Sequence, residues 1–162
     1  MKKYQASRGW RNNNPLNIRK GEPWSGLASK QTDKEFCQFL TMTYGYRAGV
    51  KILKSYARIF AQRGQKWSVE NVVRRWAPEN ENDTRAYINR VLELMGREGE
   101  TGEHCMAPLW TKPGVMQAAM MLAAMTCVEC GCPPTAIPVG SLNTGFVLAG
   151  LSDPHLTTDW WK

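Results

Sequence analysis

Fifteen consecutive residues, VMQAAMMLAAMTCVE from Val115 to Glu129, constrain the fold of this chain more than any other feature. Alanine, methionine and leucine favour helix. Gln117 and Thr126 are the only polar residues before Glu129. A helix without a polar face must be covered on every side. Fifteen residues fall short of the roughly 18 that a membrane span needs. The cover must therefore come from the rest of the chain. At 162 residues, 43% of them hydrophobic and 22% charged, the chain suits one domain with a core of its own over 1–162.

That cover is legible as further helices. From Thr43, the residues Tyr46, Val50, Leu53, Ala57 and Phe60 recur at helical spacing, and Gly64 can end the run. Ser68 opens a second helix, with Val69, Val72, Val73 and Trp76 on one side and Pro78 as its stop. Asn82 or Asp83 can cap a third, whose inner stripe is Tyr87, Ile88, Val91 and Met95 and whose end is Gly96. Residues 97–114 read as a surface connection. Gly131, Pro133 and Pro134 close the apolar helix, and a further helix is expected near 143–151. Residues 8–39 read as loop and short strands, with KQTDKEFCQF (30–39) as the edge strand of a hairpin. The expected fold is mostly α, of α+β class, with a small N-terminal β-hairpin lobe.

Charge and cysteine usage narrow the function. The net charge of +7 favours anionic partners such as cell-wall polymers. The basic residues are scattered and form no Lys/Arg arm, which argues against nucleic acid. The start, MKKYQASRGWRNNN, has no apolar core after its lysines, so no signal peptide is expected. Five cysteines, three of them in CVECGC, are an odd count without a second ligand pair. Buried reduced thiols suit them better than a disulfide framework or a metal site, and neither metal nor cofactor is expected.

Glu129 is the candidate for chemistry. Burial and the negative end of the helix dipole both favour its neutral acid. An acid that keeps its proton can protonate a glycosidic leaving oxygen. The alternative is that its carboxylate points into solvent beyond the helix end. Asp33 and Glu35, on one face of the expected strand, are candidates for a second carboxylate or for a solvated edge. Glu79, Glu81 and Asp83 read as loop and helix cap.

The segments together resemble a family of small phage-associated and bacterial proteins often labelled virion structural proteins or lysozyme-like peptidoglycan hydrolases. Its pattern is RNNNPGNIR, W.G, F..F....YG.RA, RWAP..ENDT..YI..V and a helix ending VENG. This chain shows RNNNPLNIR, Trp24-Ser25-Gly26, FCQFLTMTYGYRA, RWAPENENDTRAYINRV and VECG, with Leu16 for the glycine and Cys130 for the asparagine. The order is also similar to flagellar and autolysin-type N-acetylglucosaminidases, where the catalytic glutamate precedes the asparagine loop. Here it follows, which implies a circularly permuted lysozyme-like fold. The resemblance implies peptidoglycan cleavage as muramidase, glucosaminidase or lytic transglycosylase. It implies a monomer that acts on cell wall after release or delivery from the cytoplasm, as an antimicrobial or secreted effector would, and it leaves room for an immunity or delivery partner. The other reading is a non-catalytic peptidoglycan-binding module of a virion or secretion apparatus.

The resemblance also makes the asparagine run a site loop. Asn13, Asn14 and Asn17 would meet glycan hydroxyls and N-acetyl groups, or would only close turns on their own backbone. Tyr44, Tyr46, Trp76 and Tyr87 are candidates for a sugar groove or for the core.

Overall fold

A computed structural model describes residues 1–162. Six α-helices carry the chain: α1 (Arg8–Arg11), α2 (Met42–Arg63), α3 (Val69–Trp76), α4 (Thr84–Leu94), α5 (Lys112–Cys130) and α6 (Val139–Leu148), with 3-10 turns at Lys3–Ala6 and Pro134–Ala136. The boundaries follow capping chemistry. Gly64 ends α2 with φ 64°, the Ser68 hydroxyl accepts from the Asn71 amide at the start of α3, and the Asp83 carboxylate accepts from the Ala86 amide at the start of α4. The last helix spans Val139–Leu148, starting and ending earlier than expected, and buries Leu142, Gly145 and Phe146.

The central apolar segment is a helix of 19 residues rather than 15. Thr111 caps it through the Gly114 amide, and Lys112-Pro113-Gly114 add a turn. By length and composition it could cross a membrane, yet 67% of its most apolar stretch is buried inside the protein. Met121, Leu122, Ala123, Ala124 and Met125 are all fully covered. Each large apolar side chain so buried contributes about 1.5–3 kcal/mol.

The expected α+β lysozyme-like fold with a β-hairpin lobe is corrected here: the chain is mostly α, and no β-strand forms. Residues 12–41 contain only isolated antiparallel bridges, Arg19 with Phe36 and Leu27 with Phe39. The reason is local. In KQTDKEFCQF the side chains bond the backbone that a partner strand would have bonded. The Asp33 carboxylate accepts from the Glu35 and Phe36 amides. The Gln38 side chain accepts from the Thr32 and Asp33 amides, and Gln31 bonds both the amide and the carbonyl of Gln38.

Close approach fixes how this segment sits. Gly45 and Gly49 lie one turn apart on α2. A Cβ on Gly45 would fall 2.5 Å from the Asn13 carbonyl oxygen, and one on Gly49 would fall 2.4 Å from Leu16 Cδ1. The asparagine loop lies flat on this bare face, and Leu16 is fully buried there. On another side of α2, a Cβ on Gly145 of α6 would fall 2.8 Å from Tyr46 Cβ, so the most extensive helix pairing, α2 with α6, also depends on a glycine.

Candidate functional site

Glu129 stands in the last turn of α5, one residue before its end, and Gly131 turns the chain away with φ 66°. Its carboxyl does not wave in water. Asn17 Nδ2 donates to Oε1 at 2.9 Å and to the Glu129 carbonyl at 3.3 Å, while Tyr87 Oη donates to Oε2 at 2.8 Å. Burial raises the Glu129 pKa above the ordinary carboxylate value. The Asn17 and Tyr87 donors, and the positive charge of Arg19, pull the other way without cancelling it. Tyr87 belongs to the inner stripe of α4, and burial drives its own pKa well up, so it stays a protonated donor.

The loop reaches Glu129 because each asparagine has a separate task. Asn13 and Asn17 hold left-handed backbone, both at φ 51°, a conformation that asparagine tolerates better than most residues. Asn14 is fully buried; its amide bonds the Ile18 and Cys37 carbonyls and accepts from the Ile18 amide. Asn13 Nδ2 bonds the Phe39 and Leu40 carbonyls. Asn12 bonds Asp33 and Gln38. Asn17 alone of the run bonds the carboxyl of Glu129. Asn13 and Asn14 therefore brace the loop through these bonds; Asn14 is fully buried, while Asn13 stays partly exposed. Cys130 Sγ bonds the Pro15 carbonyl at 3.4 Å and ties the loop to α5.

The tyrosines separate in the same way. Tyr87 is at the site. Tyr46 is fully buried and bonds Thr126 Oγ1 at 2.9 Å. Because Thr126 donates to the Leu122 carbonyl, Tyr46 is the donor; it belongs to the core and not to a sugar groove. The Tyr44 ring packs beside Gly26, where a Cβ would come within 2.0 Å of it, and stays partly exposed.

Asp33 and Glu35 do face one partner, but it is Arg8 and not Glu129. Arg8 grips Asp33 through two bonds of 2.7 and 2.8 Å and reaches Glu35 at 3.4 Å. The Arg8 guanidinium holds the Asp33 carboxyl far below the usual range. A carboxylate so engaged is a poor base toward water.

A groove of about 570 Å³ opens next to this centre. Asn17 and Arg19 form its near side, and Trp24, Tyr56 and Trp76 are its aromatic lining. Trp76 was legible in the sequence as a candidate; Arg19, Trp24 and Tyr56 were not. A second omission is Glu70, 6% exposed and gripped by Arg74 and Arg85. The Glu70/Arg74 spacing of four residues on one helix was the available signal. Cys37, Cys127, Cys130 and Cys132 are buried and free, and burial pushes the Cys130 thiol up to about 12. No group of three His, Cys, Asp or Glu side chains is gathered as metal ligands.

Fold and site together define a mostly α protein with one carboxyl enclosed at the end of its central helix and a polar-aromatic groove alongside. No protein-family model matches the chain. Over 96 residues it is 44% identical to protein P5 of Pseudoalteromonas phage PM2, an overlap that covers 57% of this chain and 58% of the phage protein. The chain thus spans less than two thirds of the length of that relative.

Proposed function

We propose that this protein cleaves the glycan strands of peptidoglycan, with Glu129 as the general acid. One observation carries the reading: a carboxyl whose pKa is raised by burial, bonded to an asparagine, Asn17, that itself lines a groove with aromatic faces. A glycosidic oxygen must gain a proton as its bond to C1 breaks. An acid above the ordinary carboxylate range carries that proton at higher pH than a surface glutamate can.

The engagement of Asp33 and Glu35 by Arg8 favours internal attack over activated water. Glu129 gives its proton to the leaving oxygen as the C1–O bond breaks. The sugar's own C6 hydroxyl then forms a C1–O6 bond, and its proton returns to the Glu129 carboxylate. The product is an anhydro sugar, as in lytic transglycosylases, and no water is consumed. The net charge of +7 holds the protein on anionic cell wall, which it meets after release or delivery. The similarity to a phage protein suits such a place of action.

The test is clearance of a cell-wall suspension by the wild type and by Glu129→Gln, with mass spectrometry of the released muropeptides. Loss of clearance in the variant and anhydro ends in the products are expected. A second reading, a peptidoglycan-binding module, is favoured by one observation: both Glu129 oxygens already accept protein hydrogen bonds. It prevails if both proteins sediment with cell wall and neither clears it.

A further inference from the structure

The groove beside Glu129 is asymmetric in charge as well as shape. Arg19 and Lys20 line it on the loop side, and Glu22 is its one acidic lining residue. The two cations are not equivalent. Lys20 Nζ already donates to the Asp33 carbonyl at 2.7 Å. Arg19 has no such bond. Its guanidinium lies over the Phe36 ring at 5.1 Å, which steadies the group without occupying its N–H donors. Its one carboxylate partner, Glu81, is 3.7 Å away, and both side chains are more than half exposed, so that pair is worth little.

On the other wall Tyr56 and Trp76 meet nearly edge to face, 6.2 Å apart at 72°, and Trp24 lies half-buried on the loop side. An aromatic wall suits the apolar faces of sugar rings and does not distinguish a neutral ring from one that bears an acid. A guanidinium with free donors does, because it binds a carboxylate through two parallel hydrogen bonds.

We propose that this groove is a glycan subsite in which Arg19 selects sugars bearing a carboxylate, the stem-peptide acid of a muramyl residue, over neutral N-acetylglucosamine polymers. The proposal rests on the glycan-cleaving reading and names the substrate feature that its groove recognises. Arg19 is a specificity residue two positions after Asn17, so the loop that holds the acid also holds the selector.

Binding is measured separately from turnover, in the Glu129→Gln background so that ligand is not consumed. Tryptophan fluorescence reports occupancy, because Trp24 and Trp76 both line the groove. The probes are a disaccharide-peptide from cell wall and a neutral N-acetylglucosamine tetramer. The expected result is a preference of about tenfold for the acidic ligand, the scale of a charge-assisted contact in partial solvent. It should disappear in Arg19→Gln, be kept in part by Arg19→Lys, and weaken with salt. Neutral-ligand affinity and melting temperature should not change in Arg19→Gln. Equal affinities in the parent, a preference that survives Arg19→Gln, or no binding of either ligand overturns the proposal. Clearance by the wild type that is lost in Glu129→Gln would leave the parent reading standing through any of those results.

Discussion

Glu129 is held between opposing influences, and its neighbours set the balance. Burial favours the neutral acid, while Tyr87 and Asn17 donate to the ionised form. Tyr87→Phe removes a donor to the charged form, so the Glu129 pKa should climb further. The alkaline limb of a pH–rate profile should then move to higher pH; a limb that stays or moves down would show that Tyr87 does not act through this carboxyl. The same balance affects stability. Since the folded pKa is raised, the favourable contribution is complete below the unfolded value and is lost as pH rises through the folded one. Glu129→Gln has no charge to bury. Its melting temperature should gain on the wild type as pH rises through that window, and melting curves at about pH 4 and about pH 8 bracket it.

At the scale of elements, glycines decide which surfaces meet. Gly145→Ala places a methyl 2.8 Å from Tyr46 Cβ and 3.0 Å from the Arg47 amide nitrogen. Backbone must shift, at a cost of about 1–3 kcal/mol, read as a lower midpoint in urea. Leu16→Ala empties the seat over Gly49 and should cost about 3 kcal/mol. It should also free the Asn17 loop, so activity should fall more than stability alone accounts for. The string RWAPENENDTRAY becomes intelligible at this scale as well. Arg85 of the string joins Arg74, just before it, in holding the buried Glu70, Asp83 caps α4, and Thr84 Oγ1 bonds the Ala77 carbonyl. The string fastens α3 to α4 and so places Tyr87. The helices and caps of this region were legible in advance because spacing and capping are local. The Arg85 half of the grip on Glu70 was not, because Arg85 reaches it across a loop.

At the scale of the molecule, the segment 12–41 is tied to the N-terminus through Arg8 and Asp33 rather than through a sheet. Asp33→Ala removes the acceptor of two arginine bonds, of the Asn12 amide, and of the Glu35 and Phe36 amides. Hydrogen exchange at Glu35 and Phe36 should accelerate strongly while α5 stays protected. Uniform acceleration across the chain would mean that the segment is not an independent tie. A hairpin was the natural expectation for KQTDKEFCQF, since its alternation is that of a strand. Its short polar side chains instead bond nearby backbone, and alternation alone cannot register that competition.

By itself the sequence determined that a greasy helix would form the centre, that three helices with readable caps would surround it, and that a carboxyl would stand at its end. These are consequences of periodicity, propensity and capping, which act within a few residues. Only the tertiary structure decided that Asn17, rather than Asn13 or Asn14, meets that carboxyl, that Tyr46 bonds Thr126 while Tyr87 bonds Glu129, and that Arg19 faces an aromatic groove. Those outcomes depend on how closely two backbones approach across Gly45, Gly49 and Gly145, a distance set by the packing of segments far apart in the chain.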